Sequence, residues 1–325
     1  MSSNKGFWRR PLPLSLLGLG IVGTGLVYFI KPSPIDKSYP PQVAKYLHRA
    51  IYYSGDRVHD LPKALTYYEK ALESATSCMS MASPAVQGID IQIANVYEAM
   101  GQKTDAANVY LKILDNTKDQ TNFVEQRVYI SSKLIELLEQ LGRDEEAASV
   151  ADDALKVVFS GKFNQPEEST SRILEQCGNL YLKLGSPNLA LPLFKRAFDL
   201  TTANPSCHGL VLMHNLATSL IAEAGITESR YHSRLFSEAT DWLNKIIASY
   251  RLCLEKDRNS ECHSAYSAAH YTLGSLAEQN GKIQEARRLY EKAEQMRVIA
   301  PYNDASILAR IALDRLNDKE SNTDA

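Results

Sequence analysis

The sequence predicts an all-α protein, in which an N-terminal transmembrane helix is followed by an α-solenoid of about six helix pairs and a C-terminal capping helix. Three observations predict it. Ala64, Ala106, Ala147, Ala190, Ala239 and Ala286 recur at intervals of 42, 41, 43, 49 and 47 residues, each in the same local frame. Gly101, Gly142, Gly185 and Gly281 each stand five residues before one of those alanines, where a helix must stop and turn. Pro11 to Ile30 contains no charged residue.

The alanine frame defines the second helix of each pair. Four positions after the alanines come Tyr68, Tyr110, Ala151, Phe194, Leu243 and Tyr290, and seven positions after them Ala71, Ile113, Ala154, Ala197, Ile246 and Ala293. Spacing of this kind writes one helical face, six times over. The glycines end the first helix, because a stop of this type takes the left-handed conformation that glycine adopts without penalty. Four residues before them stand Tyr97, Leu138, Tyr181 and Ala277, and seven to eight before stand Ile93/Ala94, Leu134/Ile135, Cys177/Gly178 and Leu273/Gly274. Large beside small predicts that the two helices of a pair pack closely.

These columns together resemble the tetratricopeptide repeat across residues 42 to 300. The conventional repeat has about 34 residues; the spacing here is nearer the longer repeats of kinesin light chains, and the additional residues should lengthen the helices or the links. Ser83-Pro84 and Ser186-Pro187 read as N-caps with proline at the first helical position, where its missing N–H costs nothing. Pro192 falls inside the second helix of the fourth repeat and should kink it. The long fifth interval suggests an expanded turn from Gly225 to Arg234. After Pro301, Asn303 or Asp304 can cap a final helix that presents Ile307, Leu308, Ile311, Leu313 and Leu316 to the last open face.

The segment Leu14 to Ile30 is long enough, at about 1.5 Å per residue, to cross most of a bilayer. Lys5, Arg9 and Arg10 precede it without an acidic residue, so the N-terminus stays untranslocated and the repeats lie on the far side. A cleaved signal peptide would have an apolar region of about 7 to 15 residues and a small-x-small cleavage site, whereas this run ends in Tyr28-Phe29-Ile30-Lys31. The organisation is therefore a basic stub (1–10), a transmembrane helix (11–30), a linker (31–41), the solenoid (42–316) and a polar, disordered tail (317–325). The same topology suits the endoplasmic reticulum and the mitochondrial inner membrane. The one asparagine with the glycosylation spacing, Asn204-Pro205-Ser206, is disqualified by its proline, which favours the mitochondrion.

Composition excludes other classes. The net charge is −2, and taking away Lys5, Arg9 and Arg10 leaves −5, so nothing basic is offered to nucleic acid. Gly18-Leu19-Gly20-Ile21-Val22-Gly23 spells a dinucleotide fingerprint but lies inside the apolar span, without the strand that motif requires. No nucleophile with an ordered base, no carboxylate pair and no phosphate loop emerges, which points away from an enzyme; no cofactor and no metal are expected. His263 and His270, two turns apart on one helix, read as groove or surface polarity. Five cysteines make no disulfide framework: Cys78, Cys177 and Cys207 read as isolated, while Cys253 and Cys262 flank a polar link and can face each other across a helical hairpin.

The tetratricopeptide resemblance implies a peptide-binding groove built by the first helix of each pair. Its positions here are Asn95 and Glu98, Glu136 and Glu139, Arg172, Glu175, Asn179 and Lys183, His214, Asn215 and Thr218, and Tyr271 and Ser275. Ile91 and Ser132 stand where the carboxylate clamp of chaperone co-factors has lysines, so that activity is not implied. In architecture the chain is similar to the fungal adaptor subunit of the mitochondrial inner-membrane i-AAA protease. That resemblance implies partners that are protease subunits and unfolded or membrane-protein substrates, met in the intermembrane space. The alternatives are an assembly factor similar to the one serving respiratory complex III, and a receptor in mitochondrial protein import.

The charge distribution makes a topological prediction. Protease added to mitochondria with ruptured outer membranes should digest the domain from Lys31 onward; survival until the inner membrane is opened would reverse the orientation.

Overall fold

The structure, a computed structural model, describes residues 34–118, 120, 123–201, 206–252, 258–300 and 303–323. The proposed stub and anchor at 1–30 lie outside the described residues. Among the described residues every regular element is helical. After Asn164 the chain divides into two compact units.

The first unit holds α1 (Pro34–Ser38), α2 (Pro41–Ser54), α3 (Leu61–Thr76), α4 (Pro84–Ala99), α5 (Lys103–Asn116), α6 (Val124–Gln140) and α7 (Asp144–Phe159). The second holds α8 (Glu167–Lys183), α9 (Pro187–Asp199), α10 (Cys207–Ile226), α11 (Ser229–Leu252), α12 (Ser260–Gln279), α13 (Ile283–Gln295), a 3-10 turn at Met296–Val298, and α14 (Asp304–Thr323). Six antiparallel pairs run from α2/α3 to α12/α13, with each second helix also packed on the first helix of the next pair within its unit.

The six column alanines are all fully buried, as are nearly all residues four and seven positions beyond them. Gly101, Gly142, Gly185 and Gly281 have φ of 76°, 70°, 71° and 74°, the left-handed stop the spacing predicts. Large meets small across the pair. A Cβ on Gly178 would lie 2.8 Å from Cε1 of Phe194, and one on Gly274 would lie 2.7 Å from Cε1 of Tyr290. Ser83 accepts the Val86 amide at 3.3 Å as a true N-cap, whereas Ser186 precedes Pro187 without a side-chain cap bond.

Several expectations are corrected. The fifth interval is long because its helices are long, 20 residues in α10 and 24 in α11. Thr227 and Glu228 alone separate them, so Gly225 to Arg234 is no expanded turn. Pro192 sits inside α9 without breaking it. The linker contributes packing: Ile35 and Tyr39 are buried, and Tyr39 Oη donates to the Ala85 carbonyl at 3.0 Å. Helix α14 is capped by Asn303, whose Oδ1 accepts the Ala305 amide at 3.0 Å, and it continues to Thr323, past the expected start of the tail at Asn317.

The face of α14 also differs from expectation. Ala309, Ala312, Leu316 and part of Leu313 pack on Ala286, Tyr290 and Ala293 of α13, while Ile307, Leu308 and Ile311 are 42%, 45% and 59% exposed. Contact with an alanine-rich helix selects the small residues, which rotates the larger ones outward. Helix α10 is long and apolar enough to cross a membrane, yet Leu210, Leu212, Leu216 and Leu220 are buried among its neighbours. It is a core helix of the second unit.

One chemical change made at two glycines should have opposite effects. Gly274→Ala forces a methyl into the Tyr290 ring and should destabilise by about 1 to 3 kcal/mol. Gly225→Ala, in helix α10 with no atom within 4 Å of the new Cβ, should be neutral or stabilise by up to about 1 kcal/mol. Thermal unfolding of the two variants checks both signs.

Candidate protein-binding face

The first helices α4, α6, α8, α10 and α12 carry the predicted groove residues, and tertiary packing sorts them into two groups. The first group is spent on the fold. Tyr110 Oη lies 2.6 Å from Glu98 Oε1 and 3.1 Å from Asn95 Oδ1, within donating distance of either, and Lys133 Nζ donates to Glu98 Oε2 at 3.2 Å. The motif repeats in the second unit, where Tyr290 Oη donates to Glu278 Oε2 at 2.9 Å and Arg315 Nη2 reaches the same oxygen at 2.6 Å. A column tyrosine whose ring fills the pair must still place its hydroxyl, and burying it unpaired would cost about 1 to 3 kcal/mol. The first helix supplies a carboxylate, and a following helix supplies the cation. Glu98 and Asn95 are thus ties between helices.

In the second unit Asn215 Nδ2 donates to Glu175 Oε1 at 3.1 Å, and His208 Nδ1 lies 3.7 Å from Glu175 Oε2. Burial is the largest influence on Glu175, raising it to about 7; Glu261 adds to the rise, while Arg172 and the Asn215 bond oppose it. Burial likewise lowers His208. His214 Nε2 sits 3.2 Å from Thr272 Oγ1, and Thr218 Oγ1 donates to its own helix at the His214 and Asn215 carbonyls. Arg172 donates to Glu168 at 3.2 Å.

Ser171, His208 and Glu175 form a chain reminiscent of a nucleophile and base, with Ser171 Oγ 3.4 Å from His208 Nε2. Its chemistry is structural. Ser171 is fully buried and donates to the Ala197 carbonyl at 3.0 Å, so its proton is committed. Ser267 makes the same bond to Ala293 at 2.9 Å, two repeats later.

The second group faces outward. Asn179, Lys183 and Glu136 are exposed, Glu136 accepting only from Gln140 at 3.3 Å, and Glu139, Tyr271 and Ser275 are half-buried. In the second unit this leaves a face with amide, hydroxyl and ammonium groups of no single charge sign, suited to hydrogen-bonding an extended backbone.

The cysteines correct the sequence reading. Cys262 is bonded to Cys207, with Cα atoms 4.5 Å apart, and Cys253 lies outside the described residues. The bridge joins the first turns of α10 and α12, which pack side by side as first helices of successive pairs. Cys207 stands one residue after the N-cap Ser206 and Cys262 three residues after the N-cap Asn259. A cysteine in the first turn of each of two successive first helices is the signal that could have paired them. Glu261, one residue before Cys262, acts electrostatically on both Glu175 and His208, raising each. Cys177 is buried, as its column implies, and Cys78 is exposed. Among the described residues no group of three or more His, Cys, Asp or Glu side chains is arranged to hold a metal.

His270 is not surface polarity. It is 1% exposed, edge-on to Tyr266 at 4.6 Å between ring centres, and neither ring nitrogen has a partner. His263 instead meets Tyr250 Oη at 2.8 Å through Nδ1.

Comparison with known proteins agrees with this geometry. Residues 267–297 match the tetratricopeptide repeat family. A TPR repeat-containing protein of Schizosaccharomyces pombe is 47% identical over 316 residues, which is 97% of this chain and 89% of that protein. The chain belongs to the tetratricopeptide-repeat proteins. The tetratricopeptide fold is also shared by the C-terminal part of a TPR repeat-containing protein from Cytophaga hutchinsonii, with TM-score 0.54 and 13% identity over 84% of this chain and 89% of that one. BtubC from P. vanneervenii gives TM-score 0.51 and 18% identity over 74% and 92% of the two chains. A tetratricopeptide array is a scaffold for binding protein, and the outward-facing group above is its candidate surface.

The buried histidines set an acid limit on the second unit. Burial, with Lys292 and Arg251 adding, lowers His270 to about 4, and burial alone takes His214 to about 4. A lowered imidazole contributes stability that is present above its ordinary 6.5 and lost as pH falls toward 4. Glu175, raised to about 7, has the opposite sign, its contribution being lost as pH rises through 7. His270→Leu removes one share of the acid loss. Relative to the parent protein the variant should gain about 2 kcal/mol between pH 8 and pH 5 in denaturant titrations; no gain would place a proton acceptor beside the ring.

Proposed function

We propose that this array is the intermembrane-space domain of a membrane-anchored adaptor that brings unfolded or membrane-protein substrates to the i-AAA protease of the mitochondrial inner membrane. The observation that carries this reading is the Cys207–Cys262 disulfide in a protein-binding array. Disulfides persist in oxidising compartments and are rare in the cytosol. The bond thereby supports a translocated domain, as does the basic, acid-free leader before the apolar span. The lack of a usable glycosylation acceptor in the sequence favours the mitochondrial side over the endoplasmic reticulum lumen.

For substrate capture the face formed by Asn179, Lys183, Tyr271 and Ser275 supplies donors and acceptors to an extended chain without selecting one charged tail. That suits non-native segments of varied sequence. Asn95 and Asn215 belong to the internal ties, so removing them would confuse folding with binding.

The test is therefore the triple change Asn179→Ala, Lys183→Ala and Ser275→Ala, which leaves the repeat columns intact. Each lost hydrogen bond is worth about 0.5 to 1.5 kcal/mol, so substrate recovered with the protein in mild detergent should fall several-fold while its level and thermal stability hold. Turnover of inner-membrane protease substrates should slow in cells carrying it. Normal turnover, or a parent eluate dominated by a respiratory complex or a translocase, would overturn the adaptor reading in favour of assembly or import.

A further inference from the structure

We propose that the cleft between α5 and α7, in the first unit, is a second docking site that takes an extended protein segment bearing a bulky apolar side chain followed by carboxylates. None of its lining residues belongs to the first-helix face described above, so the two share no residue.

The cleft has two compartments that share Lys118, Arg127 and Val157. The first, about 270 Å³, has a floor of Leu111, Leu114, Val128, Val150, Ala154 and Val157. The second, about 320 Å³, is ringed by Lys118, Arg127, Lys156 and Lys162, and among the described residues no carboxylate lines it. Asp115 and Asp153 stand at the rim of the first compartment, so the positive charge is concentrated at the far end, where Lys118, Arg127, Lys156 and Lys162 surround the second.

The cations are available. Lys118 pairs with Asp115 at 3.5 Å and Lys156 with Asp153 at 2.9 Å, but all four of those side chains are more than half exposed, so the pairs are weak and readily exchanged. Arg127 spends Nη1 on the Lys118 carbonyl at 2.8 Å, which aligns the guanidinium across the junction of the two compartments, and its buried Nε has no partner. A guanidinium held in this way suits a carboxylate, whose oxygens match its fork. The apolar floor supplies the affinity and the cationic end the register. A basic segment would meet repulsion at the same place, which gives the site its sign selectivity.

The test uses the full chain in mild detergent and fluorescein-labelled 12-residue peptides read by anisotropy. The first probe carries Leu-Val followed by three Glu; the second replaces the Glu with Lys, and the third replaces Leu-Val with Ala-Ala. The first should bind at least tenfold more tightly than either other probe and weaken as salt rises. Lys156→Glu with Lys162→Glu, both exposed, should weaken the first probe at least tenfold and tighten the second. Ser149→Trp, from an exposed position that lines the apolar compartment, should exclude the first probe without changing charge. The triple variant of the second unit should bind the first probe normally, which separates this site from the proposed substrate face. Equal affinity for the Glu and Lys probes, or undiminished binding by the folded double-charge variant, would overturn the proposal.

Discussion

Close approach of two helices at a residue with no room to grow is the constraint on which this protein is built. Ala64, Ala106, Ala147, Ala190, Ala239 and Ala286 are each fully buried where the second helix of a pair crosses the first. A methyl at the crossing lets the backbones come near, and the side chain one turn later can then be large: Tyr68, Tyr110, Phe194 and Tyr290 fill the space the alanine opened. Gly178 and Gly274 complete the arrangement from the first helix, leaving the ring of Phe194 or Tyr290 where a Cβ would stand. Interiors this dense transmit any added volume into strain. The repeat length is freer, because helix ends far from the crossing can extend, as α10 and α11 do.

The polar chemistry follows from that packing. A tyrosine driven into a helix pair brings a hydroxyl with it, so Glu98 and Glu278 are placed to accept from Tyr110 and Tyr290, and Lys133 and Arg315 neutralise them. The carboxylates lie on first helices, on the faces where tetratricopeptide proteins commonly bind ligands. Here they couple neighbouring helices. The surface left for a partner is correspondingly narrower, mixed in sign and rich in uncharged donors, while Lys118, Arg127, Lys156 and Lys162 gather elsewhere, around the α5 and α7 cleft.

The disulfide shows how topology joins residues that sequence separation keeps apart. Cys207 and Cys262 are 55 positions apart, yet each sits in the first turn of a first helix, and successive first helices are neighbours. The nearer pairing of Cys253 with Cys262 rested on the expectation of a hairpin bridge. Stacking of repeats favours the longer connection, and on a chain-entropy account closing a loop of this size contributes about 4 kcal/mol by restricting the unfolded chain. Glu261, the neighbour of Cys262, adds to the burial that raises Glu175.

The sequence by itself determined the all-α class, the six pairs, their glycine stops and nearly every buried column, because those properties depend on spacing along one helix and on what glycine and alanine permit sterically. Asn303 as a cap and Cys177 as a core thiol were legible for the same local reason. What only the tertiary structure decided is the fate of the polar residues and of the last helix. Whether Asn95, Glu98, Glu175 and Asn215 face a ligand or a neighbour depends on which hydroxyl, amide or imidazole the adjoining helix brings within reach, and no single-helix periodicity encodes that. The outward turn of Ile307, Leu308 and Ile311 was set by the alanine surface of α13, which accepts Ala309 and Ala312 closely and leaves no depth for larger side chains.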